Sequence, residues 1–231
     1  RRRAGRRVRA VSAPAGAGFP GLTVRTLEVF AEVLCPFAYV GLRTVIDRRT
    51  AAGLDEPLLD VHSWPLELIN GVPLDPGHIA AEITSLRASV RPDLFTGFAV
   101  ASFPTTSMPA YAVMAAAQRT GDPALAERVA LALRAAVFED GLDIGRPQVA
   151  GQIADHFGLV PLDPEATSAA VHADWADGRA RGVVGSPHFF ADGSSWFCPA
   201  LDISRDGHGD FVIAWKQGSE AFLDQVLAAH P

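Results

Sequence analysis

The apolar positions near the start of the chain follow the pattern of buried strands joined by a helix. Residues 22–33, LTVRTLEVFAEV, are nearly continuous in β-branched and apolar residues, which predicts a central strand. Residues 36–52 predict a helix, because Pro36 is tolerated in a first helical turn and Gly53 suits a helix end. Residues 57–64 predict a second strand, and such a β-α-β unit implies that the two strands are parallel.

From residue 75 to residue 181 the pattern is helical. Four apolar residues fall on one helix face at the expected spacing, namely Ile79, Ile83, Leu86 and Val90. Three Asp-Pro pairs each supply a capping side chain and a proline for the first helical position, at Asp75-Pro76, Asp122-Pro123 and Asp163-Pro164. A similar start is predicted at Ser107, ahead of Met108-Pro109. We expect four or five helices in this block.

Strand patterns return near the end of the chain. Residues 187–198 contain two apolar runs around Asp192-Gly193, which predicts a β-hairpin. A further short strand is predicted at 210–215, and a last helix at 219–229, capped by Ser219. The order β-α-β, helical block, β-hairpin, α is that of an α/β fold with a helical domain inserted into it.

The predicted domain limits follow from these changes of pattern. Residues 1–21, rich in Gly, Ala, Pro and Arg, are expected to form a disordered leader. The α/β domain is expected in two parts, 22–75 and 182–231, with the inserted helical domain at 76–181 between them.

Composition narrows the classes of protein. Apolar residues make up 48% of the 231, which is enough for a buried core. No stretch of 18 or more uncharged apolar residues occurs, so the sequence predicts no membrane span. The formal charge is −6, but six arginines stand among the first nine residues. The remainder, with 14 basic and 26 acidic side chains, has a charge near −12. An acidic body argues against nucleic acid as a partner.

The chain has two cysteines, Cys35 and Cys198. This number excludes a disulfide-stapled scaffold and favours the cytoplasm, where an isolated thiol stays reduced. The basic start has no apolar core of the kind a signal peptide requires. The seven histidines have no ligand spacing, and therefore we expect no metal site.

The first motif with chemical content is VLCPFAYVGL, residues 33–42. It places Cys35 between the end of a strand and the first turn of a helix. Unpaired amide N–H groups and the helix dipole at such a position stabilise a thiolate, so we expect a lowered pKa. Phe37 and Tyr39 are expected to shape an apolar pocket beside the thiol. The alternative is a buried cysteine that acts as a small apolar residue.

The second motif is RGVVGSPHFF, residues 181–190, in which Ser186-Pro187 precedes a predicted strand. A cis Ser186–Pro187 bond would leave the carbonyl of residue 186 and the amide of residue 188 available to an extended substrate. His188 either approaches Cys35, where it would stabilise the thiolate or shuttle a proton, or points to the other face of the strand. Residues 201–207, LDISRDG, fit an anion site or a solvated turn equally well.

Together the two motifs resemble the DsbA-like branch of the thioredoxin superfamily, including FrnE-type proteins and 2-hydroxychromene-2-carboxylate isomerase or kappa-class glutathione transferase relatives. Residues 27–42 are similar to the family's first strand and Cys-Pro-x-Cys helix start, and residues 181–190 to its Gly-Val-x-Gly-x-Pro strand entry. The resemblance covers about 22–231 and implies a thioredoxin-like fold with an inserted α-helical domain. It also implies an enzyme with Cys35 as the catalytic residue and with substrate or thiol contacts at Pro36, Phe37, Ala38, Tyr39, Ser186, Pro187 and His188.

The chain departs from this family at residue 38. Family oxidoreductases use a second cysteine there to resolve the mixed disulfide, and this chain has Ala38. Three routes stay open. A low-molecular-weight thiol such as glutathione or mycothiol releases the product, Cys198 acts as a distant resolving residue, or the site binds a thiol cofactor without redox chemistry. Direct pairing with Cys198 is disfavoured, because the two strands concerned are expected to lie about 10 Å apart.

Three functions therefore compete. The first is a thiol-dependent oxidoreductase with one active-site cysteine, and the second is a thiol-cofactor isomerase or transferase. The third is a non-catalytic thioredoxin-like module in which Cys35 has no reaction. The expected partner is a small-molecule or thiol substrate, with a homodimer as a possible assembly and with neither nucleic acid nor membrane.

Overall fold

The computed structural model describes residues 25–228. The predicted leader, residues 1–21, lies outside this range, as do the first residues of the predicted strand 22–33 and the last residue of the predicted helix 219–229. Within the described range the expected α/β class is confirmed: the chain begins with β-α-β, helices fill the middle, and four strands and a last helix follow.

The predicted β-α-β unit is present at the start of the described chain. It consists of β1 (Thr26–Ala31), α1 (Pro36–Ala51) and β2 (Leu58–Ser63). The strands are parallel and in register from one end to the other. Because β1 has a neighbour on both sides, its nearly continuous apolar pattern matches its central place in the sheet.

The helical block also agrees with its pattern. A short helix, α2 (Leu66–Asn70), precedes it, and the fully described stretch 76–181 contains five α-helices and one 3₁₀ turn (Val100–Ser102). The five are α3 (Pro76–Ser89), α4 (Met108–Gln118), α5 (Pro123–Phe138), α6 (Pro147–His156) and α7 (Pro164–Ala180).

In the helical block, the predicted capping residues are confirmed at three of four positions. The side chains of Asp75, Asp122 and Asp163 each accept a hydrogen bond from the amide three residues later. Ser107 precedes α4 as predicted, but its hydroxyl caps nothing. It donates instead to the Glu32 carboxylate at 2.5 Å, because that acid is buried beside it.

After the insert the chain returns to the sheet. The predicted hairpin is confirmed as β3 (His188–Ala191) and β4 (Ser194–Phe197), and α8 (Ser219–Leu227) closes the described chain. The four-stranded sheet has the order β2-β1-β3-β4, with β3 antiparallel to β1. The prediction that Ser219 caps the last helix is wrong, because Ser219 is the first residue of α8 and Gly218 is its N-cap residue. Gly218 has the left-handed conformation that glycine adopts at low cost.

A second, two-stranded sheet contains residues 201–205 of the segment for which an anion site and a solvated turn were both considered. Its strands are β5 (Leu201–Arg205) and the predicted β6 (Phe211–Trp215), which pair in antiparallel register. Helix α3 covers the free edge of β6, because two serine hydroxyls on α3 donate to β6 carbonyls. Backbone pairing of β5 with β6 therefore determines the conformation of this segment.

One continuous apolar core joins the sheet to the insert. The core contains residues of β1, β2 and β3 together with buried residues of α3, α4, α5 and α6. The helical block thus packs on the α/β part rather than around a core of its own. The limits 22–75, 76–181 and 182–231 stay a prediction.

Candidate active site around Cys35

Cys35 lies where the sequence places it, between β1 and α1. It is the N-cap residue of α1, its amide donates to the carbonyl of Glu32 at 3.4 Å, and its carbonyl accepts the first helical hydrogen bond from Tyr39. Pro36 occupies the first helical turn. The side chain of Cys35 is nevertheless buried, with the residue only 6% exposed.

The Cys35 thiol faces the second motif. It donates to the carbonyl oxygen of Ser186 at 3.5 Å, and the Ser186–Pro187 peptide bond is cis. Gly41 permits this approach, because a Cβ at Gly41 would stand 3.3 Å from Cγ of Pro187. The structure thus brings together two motifs that lie far apart in sequence, and the carbonyl of Ser186 is engaged by the thiol itself.

The predicted lowering of the Cys35 pKa is wrong for this arrangement. Burial, and after it the negative charge of Glu82, raises the pKa of Cys35 to about 12. The amide of Ala38 in the first helical turn lowers the pKa, as a helix N-terminus should, but its effect is smaller than that of burial. Cys35 is therefore a neutral thiol while it stays covered.

Glu32 organises the backbone around this thiol. Its carboxylate accepts hydrogen bonds from the amide of Leu34 at 3.1 Å, the hydroxyl of Ser107 at 2.5 Å and the amide of Leu66 at 2.9 Å. Its own amide donates to the hydroxyl of Ser186 at 2.9 Å. One buried acid thus connects the Cys35 turn with the starts of α2 and α4 and with the Pro187 turn. Burial raises the pKa of Glu32.

Glu32 is not among the predicted site residues, although the sequence contains a signal for it. The residue interrupts the apolar run before Cys35, at the end of a strand predicted to be buried on both faces. A charged side chain at such a position must find hydrogen-bond partners or disrupt the fold. Its partners lie in segments distant in sequence, which is why the motif alone did not reveal them.

Arg134, a fully buried residue of α5, is a second residue near Cys35 that was not predicted. It donates to the carbonyls of Ala130 at 2.8 Å, Ala31 at 3.3 Å and Glu32 at 3.4 Å. Burial lowers the pKa of Arg134, whereas ionisation of Tyr111, Glu32 or Cys35 favours its charged form. The insert therefore contributes a cation to the interior behind Cys35.

His188 does not approach the thiol, which corrects one of the two roles considered for it. Its Nδ1 accepts a hydrogen bond from the amide of Val184 at 3.3 Å, and its ring stacks on that of Phe190 with the centroids 4.7 Å apart. It pairs across the sheet with Phe30, on the face opposite to Val29 and the core that contains Cys35. Strand alternation gives the reason, since Pro187 at the strand entry already occupies the Cys35 side.

Tyr39 does not line a pocket at the thiol either. Its ring stacks on Phe138 at 5.2 Å and meets Phe95 edge-on at 5.6 Å, inside the contact between α1 and the insert. Phe37 is partly buried and packs on the core. The predicted apolar pocket is therefore replaced by packed aromatic side chains at Tyr39, and Cys35 itself is closed over.

Cys198 reaches the same turn from the other side of β3. Its amide donates to the carbonyl of Pro187 at 2.9 Å, and it has a left-handed backbone with φ of 40°. Both cysteines are free and buried. Burial raises the pKa of Cys198 to about 11.

Two further points concern residues 25–228 as a whole. Within this range no group of three His, Cys, Asp or Glu side chains has an arrangement that would hold a metal ion. No helix among the same residues has the length and apolar character needed to cross a membrane.

Comparison with known proteins connects this geometry to a family. The sequence profile described as DSBA-like thioredoxin domain matches residues 26–203, which is most of the chain. No curated protein matches the sequence closely enough to count as a relative.

Several solved structures share the fold. A 2-hydroxychromene-2-carboxylate isomerase is 15% identical, with a TM-score of 0.51 over 74% of this chain and 88% of that one. The cytosolic disulfide reductase DsbM from Pseudomonas aeruginosa is 19% identical, with a TM-score of 0.51 over 74% and 87%, and has also been solved with GSH. A probable DsbA oxidoreductase from Streptomyces coelicolor is 16% identical, with a TM-score of 0.51 over 89% and 92%.

Proposed function

The chain belongs to the DSBA-like thioredoxin family, and from that membership we propose that it is an enzyme of thiol–disulfide exchange. Cys35 is its nucleophile, and a low-molecular-weight thiol such as glutathione or mycothiol is its co-substrate. The observation behind the proposal is the place of the Cys35 sulfur, at the N-terminus of α1 and 3.5 Å from the Ser186 carbonyl.

The reaction begins with attack on a disulfide. The Cys35 thiol gives up its proton, its sulfur bonds to one sulfur of the substrate disulfide, and the other substrate sulfur leaves as a thiolate. The result is a mixed disulfide at Cys35. The thiolate of the small thiol then bonds to the substrate sulfur of the mixed disulfide, and Cys35 leaves as a thiolate and takes up a proton. The product is a disulfide between the small thiol and the substrate, and Cys35 is free for another turnover without a cysteine at the position of Ala38.

The covered thiol has to be exposed before it reacts. Burial is the largest cause of its raised pKa, so contact with water removes the main obstacle to ionisation. The amide of Ala38 stays in the first turn of α1 and continues to favour the thiolate. The Ser186 carbonyl is then free of the thiol and accepts a hydrogen bond from the bound substrate.

Glutathione is the first thiol to test. The fold neighbour DsbM is a disulfide reductase solved with GSH. This chain has the nucleophile that reaction with a thiol or disulfide requires, a cysteine sulfur beside a cis-proline turn. Mycothiol offers the same sulfur chemistry with a different body. Pro36 and Ala38 lie in the first turn of α1, and Pro187 follows the carbonyl that the thiol contacts, so we expect their side chains to contact either thiol.

The experiment uses a Cys198→Ser variant, so that Cys35 is the only thiol. The reduced variant is mixed with glutathione disulfide or mycothiol disulfide, quenched in acid and weighed intact. We expect one thiol adduct per chain, and none in the Cys35→Ser/Cys198→Ser control. Absence of an adduct with both disulfides, in a variant that stays folded by circular dichroism, would contradict the proposal.

The same variant distinguishes the other two functions. The isomerase neighbour motivates the alternative in which a bound thiol, not Cys35, supplies the reactive sulfur. That alternative predicts turnover of an isomerisable substrate only when reduced thiol is added, without a covalent adduct. A binding module predicts neither adduct nor turnover.

A further inference from the structure

The two cysteines of the chain meet at one turn. The sulfur of Cys35 is 3.5 Å from the carbonyl oxygen of Ser186, and the amide of Cys198 is 2.9 Å from the carbonyl oxygen of Pro187. Ser186 and Pro187 are adjacent residues. Both cysteines belong to the same buried core and are free thiols. The Ser186–Pro187 dipeptide thus contacts both of the cysteines that the sequence contains.

The two side chains are also within electrostatic range. A charge on Cys198 raises the pKa of Cys35. Such an interaction weakens with distance, so it is consistent with the hydrogen bonds that place both cysteines at the Pro187 turn.

Cys198 lies at the junction of the two sheets. It follows β4, the last strand of the four-stranded sheet, and precedes β5 of the two-stranded sheet, so it belongs to neither. Its left-handed backbone is unfavourable for a residue with a side chain. The turn that follows it is closed by a long hydrogen bond, 3.4 Å from the amide of Leu201 to the carbonyl of Cys198. Two backbone bonds of 2.9 Å also hold this segment, one from the amide of Cys198 to the carbonyl of Pro187 and one from the amide of Lys216 to the carbonyl of Ala200.

The distance to cover is set by the sheet. Strand β3 lies between β1 and β4, and neighbouring strands are about 4.8 Å apart. The two strands that lead to the cysteines, β1 and β4, are therefore separated by about 10 Å. A disulfide requires Cα atoms within about 7 Å. For the two sulfurs to bond, the turn at 198–200 therefore has to shift toward Cys35 by a few ångströms.

We propose that Cys198 is the resolving thiol of this protein and replaces the cysteine that the family has at the position of Ala38. This step rests on the proposed function, because it begins from the mixed disulfide at Cys35. Cys198 gives up its proton, its sulfur bonds to the Cys35 sulfur, and the bond from Cys35 to the small thiol breaks. The small thiol leaves as a thiolate and takes up a proton.

The electrons balance over the two steps. Two protein thiols are oxidised to one Cys35–Cys198 disulfide, and one disulfide of the small thiol is reduced to two thiols. In the reverse direction, two molecules of reduced small thiol regenerate both cysteines. The protein then acts as a dithiol enzyme whose two cysteines stand on either side of the Pro187 turn.

The test follows the thiol adduct over time in the wild-type protein and in Cys198→Ser. Both are reduced, treated with glutathione disulfide, quenched in acid and weighed intact. In the wild type we expect the adduct to appear briefly and give way to a species lighter than the reduced chain by two hydrogens. In Cys198→Ser the adduct should persist at least ten times longer. Cys198→Ala serves as a second variant that differs from the first in polarity.

A direct readout needs no variant. Trypsin releases Cys35 in the peptide of residues 26–43 and Cys198 in the peptide of residues 182–205, and the proposal predicts these two peptides joined by a disulfide in the oxidised wild type. The proposal is overturned if the wild-type adduct lasts as long as that of Cys198→Ser and no joined peptide forms. If Cys198→Ser forms no adduct at all, the proposed function fails, and the resolving step fails with it.

Discussion

Helix α5 carries two buried charged residues on one face, and their surroundings differ. Glu127 and Arg134 are seven residues apart, which is about two turns. Glu127 accepts two hydrogen bonds from the Arg49 guanidinium, at 2.8 and 2.7 Å, and one from the amide of Leu59 at 2.6 Å. Arg134 reaches only backbone carbonyls, two of them at 3.3 and 3.4 Å, and its Nε has no hydrogen-bond partner among residues 25–228.

The comparison separates a structural charge from one that acts on the candidate site. The Arg49–Glu127 pair is complete, and its charges cancel where α1, β2 and the insert meet. Among residues 25–228 no carboxylate forms an ion pair with Arg134, and the ionised forms of Tyr111, Glu32 and Cys35 each favour its charged form. The first site holds the insert against the α/β part, whereas the second makes the insert part of the electrostatics of Cys35.

The largest effect is expected where the complete pair is broken. Glu127→Leu leaves the Arg49 guanidinium buried without its partner, so we expect the free energy of unfolding to fall by about 3–5 kcal/mol. Urea denaturation measures it. The matched control is Arg49→Met/Glu127→Leu, which removes both charges and should recover most of the loss. A loss below about 1 kcal/mol in the single variant would show that the pair is not structural.

A smaller loss of stability is expected at the Glu32 side. Ser107→Ala removes the hydroxyl 2.5 Å from the Glu32 carboxylate. A buried acceptor that loses a donor costs about 1–3 kcal/mol, again measured by urea denaturation. Ser204→Ala, at an exposed serine of β5, is the control and should change stability by less than about 0.5 kcal/mol. Equal effects of the two variants would argue against Glu32 as a buried hub.

The charge of Arg134 should appear in the reactivity of Cys35. Arg134→Met, in the Cys198→Ser background, removes a cation that favours the thiolate, so the pKa of Cys35 rises. We expect alkylation by iodoacetamide at pH 8 to slow by roughly tenfold, the equivalent of about one pKa unit. Arg134→Lys keeps the charge and should slow it less. If Arg134→Met and Arg134→Lys slow the alkylation of Cys35 equally, Arg134 acts through packing and not through charge.

The smallest effect is expected from Glu82, which acts on Cys35 with the opposite sign. Burial raises the pKa of Glu82 to about 7, and its charged form raises the pKa of Cys35. Above pH 7 the wild-type carboxylate is ionised and opposes the thiolate, so Glu82→Gln should be alkylated faster, by roughly threefold. Below about pH 6 Glu82 is protonated in the wild type, and the two rates should converge. Glu165→Gln, at an exposed glutamate, should show no difference at any pH.

Some features of the candidate site were predictable because they depend on local rules. A proline after Cys35 and an apolar strand before it are sufficient to predict an N-cap position, and Asp192-Gly193 between apolar runs is sufficient to predict the hairpin. The resemblance to the family then indicated that Cys35 and Pro187 would meet, and the Cys35 thiol lies 3.5 Å from the carbonyl oxygen of the adjacent Ser186. Glu32 and Arg134 were not predictable in this way, because their partners come from α2, α4 and the end of β1.

The sequence by itself determined the order of elements, the caps at Asp75, Asp122 and Asp163, and the place of Cys35 at a helix start. These follow from backbone hydrogen bonding and apolar periodicity over a few residues. Only the tertiary structure decided that Cys35 is covered and neutral, that His188 and Tyr39 turn away from it, and that Cys198 shares its turn. Burial, charge and register depend on segments that meet only in the folded chain, and the cost of removing a thiolate from water then exceeds the local effect of the helix N-terminus.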